Sequence, residues 1–315
     1  YLIKWGERGA SVEATFVASY GRPVSVSVEL TVSASGAQKH IRLHGKPVRR
    51  TAELMRAVPV VLFTPADLRI VQGEPQARRQ FMNLAIARIA ASYADDMARY
   101  RRAVLQRNQL LHEGASPNEI APWTGRLVEA GARIAVARRS FVEALRPIAA
   151  EIHRHLSGAA ESLVVEYAGD LAGSADSFDR AAEAFSRLLD RRAEHERTLG
   201  RTLVGPHRDD LLLLVGGRPL RTYGSQGQQR TAALSLKLAQ ATLIHQVTDE
   251  PPLLLLDDCL SELDDVRASA VLELAGEYEQ IILTAAGKLP PVLARHGVRV
   301  LCLPQGCVEL MADGQ

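Results

Sequence analysis

Val24, Val26, Val28, Leu30 and Val32 alternate with small or polar residues, the period-two pattern of a strand with one buried face. Tyr20-Gly21-Arg22-Pro23 supplies a turn ahead of it, and Ser33 to Ala37 supplies one behind it. A third strand is expected around Ile41 and Leu43. The apolar run Val58 to Phe63 gives another, so residues 12–63 predict an antiparallel meander. From about residue 75 the period lengthens. Phe81, Ala85, Ile89, Tyr93, Met97, Tyr100 and Val104 recur every three or four positions, as on one face of a long amphipathic helix. Leu127, Ile134, Phe141, Leu145, Ile148 and Ile152 form a second such stripe, which Pro147 is expected to kink or break. Gly114, Ser116, Pro117 and Pro122 mark the loop between the two, which suggests a helical hairpin serving as an arm or lid.

Beyond the hairpin, Leu163 to Tyr167 reads as a short strand, and Ala181 to His195 as a helix capped by Asp176 or Ser177. Leu211 to Val215 then runs into a Gly216-Gly217 hairpin turn. This return to strand pattern suggests a helical insertion, residues 75–197, within an α/β head formed by 1–74 and 198–315.

The most concentrated signal is Pro251-Pro252 followed by Leu253 to Leu256 and then Asp257-Asp258. A short apolar run bounded by prolines reads as a strand buried on both faces. Parallel sheets hold ligands beyond the carboxyl ends of their strands, so the acid pair is expected on the nucleotide side. Upstream, Gly224-Ser225-Gln226-Gly227-Gln228-Gln229-Arg230 opens a helix carrying Leu234, Leu238, Ala241 and Leu243. Small and amide residues at a helix N-terminus offer free N–H groups and the positive end of the dipole to an anion. Downstream, Ser261-Glu262-Leu263-Asp264 starts another helix, and Gln280 to Thr284 forms the next strand. The order of these parts resembles the signature helix, Walker B strand, D-loop and switch strand of ABC-type ATPases.

Bulk properties narrow the picture without redirecting it. At 315 residues the chain is long enough for a large core, and a net charge of +2 excludes a global basic field. Lys4, Lys39, Lys46, Lys237 and Lys288 are the five lysines among 38 basic residues, an arginine bias that suggests genome composition more than function. Locally, Arg78, Arg79, Arg88, Arg99, Arg101, Arg102 and Arg107 face only Asp95 and Asp96. Such a face either contacts DNA phosphates or is merely solvated. Cys259, Cys302 and Cys307 are odd in number and lack a metal-type partner set, so reduced thiols in the cytoplasm are expected. No run approaches the length of a membrane helix.

Taken together, Gly205-Pro206-His207-Arg208-Asp209-Asp210, the Ser225 to Arg230 turn and the Leu254 to Asp264 segment resemble the RecF family of bacterial recombination and repair proteins. Phe63-Thr64-Pro65-Ala66-Asp67-Leu68, Arg78-Arg79-Gln80-Phe81 and Tyr100 to Asn108 extend the likeness over the chain from about residue 5. The resemblance implies an ABC-type ATPase head, a P-loop NTPase fold with an antiparallel β subdomain, carrying an inserted helical arm. Asp257 would hold Mg²⁺ and Asp258 would polarise the attacking water, with Thr284 as the switch. Ser225, Gln226, Gly227 and Gln228, with Ser261 and Asp264, would bind ATP across a homodimer formed around the nucleotide. Such a dimer would clamp double-stranded or gapped DNA through groups including Arg78, Arg79, Arg101, Arg102 and Arg107. It would assist RecA loading with RecR and RecO.

There are two departures. No G-x-x-x-x-G-K-[ST] occurs in the 315 residues, so the family's Walker A segment is expected ahead of Tyr1. The chain by itself is then expected to bind little ATP. Ala285 stands where a second polar residue is usual, which weakens the role given to Thr284. Two other readings compete. A chromosome-organising protein of the SMC type would need far longer arms, and the ATPase head of a nuclease complex would need an acidic metal cluster beyond residue 264.

Overall fold

The computed structural model describes residues 3–17, 21, 23–33, 36–48, 53, 54, 57–159, 161–260, 263–276, 278–285, 301, 302, 309 and 310. Three strands, β1 (Gly9–Val17), β2 (Pro23–Ser33) and β3 (Gly36–Leu43), form an antiparallel sheet, extended by Lys46–Pro47. In its register Val28 faces Val12 and Ile41, and Val26 faces Ala14 and Leu43, so the alternating valines share one face.

The run Val58 to Phe63 does not join this meander. Its strand, β4 (Val60–Phe63), instead pairs in parallel with the leucine strand. The reason is its composition: an unbroken apolar run lacks the polar positions that a half-solvated meander strand exposes, and suits a parallel sheet.

Helices α1 (Pro75–Ile89) and α2 (Tyr93–His112) replace the single long helix expected from the period. Ala90 ends α1 in extended conformation, at φ −126° and ψ 108°, while the apolar spacing continues across the break. Helix α3 (Pro117–Leu156) runs 40 residues, with Pro122 and Pro147 both inside it. Pro147 therefore does not break the helix. It lies on the exposed face between the buried Leu145 and Ala149, where the carbonyl left without a donor can bond to water while the buried stripe holds the helix. The antiparallel pair β5 (Leu163–Ala168) and β6 (Asp210–Val215) brackets α4 (Phe178–Leu199), which Ser177 caps as expected. At Gly131 on α3, a Cβ would lie 2.4 Å from the Phe185 ring and 3.0 Å from the Tyr100 ring. The close crossing of α2, α3 and α4 thus requires glycine there.

Helix α5 (Gln226–Thr248) packs against α3 and β4. β7 (Leu253–Asp257) is the central strand of a parallel sheet, flanked by β4 and by β8 (Ile281–Thr284). α6 (Asp265–Ala275) follows β7. Only one face of this sheet is covered among the described residues. Val61, Phe63, Leu254 and Leu256 are buried, while Leu62 is 44% and Ile282 49% exposed in register with Leu255. The expectation of burial on both faces is therefore not met. One contiguous core runs from Val61 and Phe63 through the helical hairpin to α5 and α6. No helix among the described residues is long and apolar enough to cross a membrane.

Candidate functional site

The acid pair sits where β7 ends, beside the end of β8. Asp257 is in register with Thr284, whose hydroxyl donates to Asp257 Oδ1 at 2.6 Å. The Asp258 amide donates to both the Thr284 carbonyl and its Oγ1, each at 3.1 Å. Asp258 adopts φ +48°, a left-handed conformation that Asp tolerates better than most residues because its short side chain bonds locally. The chain thus turns sharply at the second acid, separating the directions of the two carboxylates. Next in sequence, Cys259 is fully buried, and burial pushes its thiol up to about 12.

Arg230, on the first turns of α5, donates from Nη2 to the Asp258 carbonyl at 2.8 Å. The signature helix and the acid pair are therefore tied by a buried guanidinium. Sequence reasoning quoted Arg230 within its motif but gave it no role. That role rests on a partner 28 residues away on another element, which leaves no signal in the local sequence.

Ser225 is the N-cap of α5. Its Oγ accepts from the Gln228 amide at 3.2 Å, and Gln228 Oε1 accepts from the Ser225 amide at 2.8 Å, a reciprocal capping box. Gln228 Nε2 in turn donates to Glu161 Oε1 at 2.7 Å. Glu161 Oε2 lies 3.6 Å from Nε2 of the buried His153, whose pKa burial depresses despite that carboxylate. Glu161, which sequence reasoning missed, thus links the signature turn to the helical arm. Gln226 and Ser225 remain exposed, and Gly227 lies beside Arg267. Asp264 caps α6, accepting the Arg267 amide at 2.8 Å and its guanidinium at 3.2 Å. Ser261 lies outside the described residues.

The donor set at the end of β7, two carboxylates and a threonine hydroxyl, is all oxygen and suits Mg²⁺. That ion is commonly held by one or two carboxylates together with phosphate oxygens. No cluster of three or more His, Cys, Asp or Glu residues able to hold a metal occurs among the described residues.

The arginine face divides. Arg78 is 5% exposed and forms a forked pair with Asp210, at 2.6 Å and 2.9 Å. Arg107, 4% exposed, pairs with the buried Glu196 at 2.6 Å and donates to Thr202 and Thr124. Both are removed from the expected DNA-contacting set, because a phosphate cannot reach a guanidinium already enclosed by its partners. Helical periodicity had shown charge but not which arginines turn inward. Arg101 and Arg102 are exposed, and Arg79 is partly so.

The densest buried polar group joins the arm to the Gly205 to Asp210 loop. Arg138, 1% exposed, donates to Asp209 Oδ2 at 2.6 Å, to the Pro206 carbonyl at 2.6 Å, to Asn83 at 3.0 Å and to the Tyr93 hydroxyl at 3.1 Å. Tyr167 adds a second donor to Asp209 Oδ2 at 2.5 Å. Burial pushes the Asp209 carboxyl above the usual carboxylate range, while Arg138 opposes that shift.

No protein-family model matches the chain. The DNA replication and repair protein RecF of Halalkalibacterium halodurans is 38% identical over 288 residues, a match covering 90% of this chain and 76% of that protein. A solved structure of the recombination mediator protein RecF with ATP, in the RecFOR pathway, superposes with a TM-score of 0.84 at 28% identity, over 99% of this chain and 82% of that one. An SMC head bound to the C-winged helix domain of ScpA reaches a TM-score of 0.53 at 13% identity, a likeness of fold alone. The architecture is that of an ABC-type ATPase head, and by sequence and structure together the chain belongs to the RecF family.

Proposed function

We propose that this chain belongs to a DNA-dependent ATPase of recombinational repair and replication restart, working in the cytoplasm as a homodimer closed by ATP. The observation that carries this reading is the interlock at the end of β7, where Thr284 holds Asp257 and the Asp258 amide, and Arg230 on the helix opened by Ser225 donates to the Asp258 carbonyl. Asp257 would hold Mg²⁺, which would supply charge neutralisation at the transferred phosphoryl group. Asp258 orients and accepts a proton from the attacking water, and Thr284 fixes the Asp257 carboxylate. The Ser225 to Gln228 turn, with Ser261 and Asp264, closes over the γ-phosphate held by the opposite subunit.

Residues 1–74 and 198–315 make the head in this reading, and 75–197 make the arm. Closure clamps double-stranded or gapped DNA through backbone phosphates, with Arg79, Arg101 and Arg102 available for contact. RecR and RecO are the partners, and RecA loading is the outcome. The ATP named with the solved RecF structure supports the nucleotide.

The test is Asp258→Asn in the intact protein. ATP-driven dimerisation should persist, measured by sedimentation, while hydrolysis stops. Turnover at the normal rate would remove Asp258 from the role of base.

A further inference from the structure

A second basic feature lies on the helical arm, away from the end of β7. Arg99 and Arg102 on α2 face Trp123, Arg126 and Arg133 on α3 across a cleft of about 350 Å³. Asp96, at its floor, lies 3.7 Å from Arg99 and 3.5 Å from Arg133, and Glu129 lies 2.7 Å from Arg133. Arg102 and Arg126 are exposed and belong to no ion pair among the described residues. The guanidinium of Arg126 lies over the Trp123 ring, 4.8 Å from its centroid. Four arginines thus meet two carboxylates around one aromatic ring.

We infer that this cleft binds an unpaired nucleic-acid strand, Arg102 and Arg126 contacting its phosphates while a base stacks on the Trp123–Arg126 platform. The inference deepens the DNA-binding reading and rests on it. Cationic side chains alone would suit any phosphate backbone. The aromatic ring and the concavity select further. A base within a duplex has both faces covered by its neighbours, whereas an unpaired base has a face free to stack on an aromatic ring or on a guanidinium plane. Holding Arg126 against the indole also pre-orders a side chain that would otherwise lose rotamer freedom on binding.

Trp5 and Trp123 are the only tryptophans of the 315 residues, which makes the test direct. In a Trp5→Phe background, Trp123 fluorescence is followed during titration with an oligothymidylate of about 15 nucleotides, the upper range for one single-strand-binding fold. Saturable quenching is expected, and a duplex of equal length should produce less. The Arg102→Glu/Arg126→Glu variant should bind at least tenfold more weakly at unchanged melting temperature. Its salt slope should flatten by about 1.4, at roughly 0.7 per single-strand phosphate contact. A Trp123→Leu variant should lose the preference for the unpaired strand in a mobility-shift assay.

Equal quenching by poly-glutamate would overturn the inference in favour of an acidic protein partner. So would an unchanged salt slope in the double variant. If the protein shifts duplex DNA while Trp123 does not respond to either form, the cleft assignment falls and the DNA-binding reading stands. If neither DNA binds at low salt, both fall together.

Discussion

Replacing Asp209 with asparagine changes one atom in a site that water does not reach, and the structure fixes the expected cost. Asp209 is 0% and Arg138 1% exposed, and they meet at 2.6 Å. Removing the negative charge leaves the guanidinium buried with only neutral acceptors: the Pro206 carbonyl, Asn83 Oδ1, the Tyr93 hydroxyl and the new amide oxygen. Breaking a buried pair in this way costs about 3–5 kcal/mol. Because the amide oxygen keeps one hydrogen bond, the lower end, about 3 kcal/mol, is expected. Large chains lose roughly 2 °C of melting temperature per kcal/mol, so Asp209→Asn should melt about 6 °C lower, with a matching drop in the urea midpoint. The paired replacement Arg138→Met/Asp209→Leu removes both charges and should recover most of the loss, since an apolar pair of similar volume needs no desolvation of ions. Circular dichroism melts of the parent and the two variants decide the matter. An Asp209→Asn protein within 1 °C of the parent would refute the claim that Arg138 depends on this carboxylate. A double variant that melts below Asp209→Asn would show that the network's neutral members, Tyr93, Tyr167 and Asn83, need the charges as well.

Buried His153 and half-buried His207 set a pH dependence. Burial depresses the pKa of both His153 and His207, while the unfolded chain takes up protons near pH 6.5. Below that value the unfolded state binds more protons than the folded one, so stability should fall as pH drops from 7.5 to 5.5. A His153→Gln variant should lose less over that interval, and an unchanged difference between the two melting temperatures would contradict the assignment. Cys259, buried with its thiol pushed up to about 12, should resist iodoacetamide at pH 8 in the native protein and react in urea. Peptide mapping that finds Cys259 alkylated at native conditions would refute its enclosure. Glu161→Ala frees Gln228 from its outer partner, a loss of about 1 kcal/mol at most in stability. In the intact protein the same change should lower ATP turnover several-fold by loosening the signature turn, and Glu161→Gln should restore part of it.

How far the sequence carries depends on which physical property each feature uses. Local chemistry was legible. Ser225 and Asp264 cap helices because a hydroxyl or carboxylate at that place finds free amides, and the leucines of β7 end at its acids because the strand ends there. Facing was not legible. Arg78 and Arg101 look alike in a basic stretch, yet the first is enclosed by Asp210, from a strand 132 residues away, and the second is exposed. Partners so distant leave no trace in helical periodicity.

The same limit explains Val60 to Phe63, whose apolar run fitted a meander locally but pairs with Leu253 to Leu256 across most of the chain. It explains Pro147 as well, where a local rule predicted a break and packing at Leu145 and Ala149 overrode it. The candidate site shows both behaviours at once. Thr284 was doubtful from sequence because Ala285 follows it, but the sheet register, a long-range property, sets its hydroxyl against Asp257. Arg230 and Glu161 gain their roles only through partners on other elements. Residues whose chemistry faces their own turn can be read from one dimension; those whose partners lie on other elements, as Arg230 and Glu161 do, need the fold, and these are the positions where variation should be felt at the acid pair and the Ser225 turn.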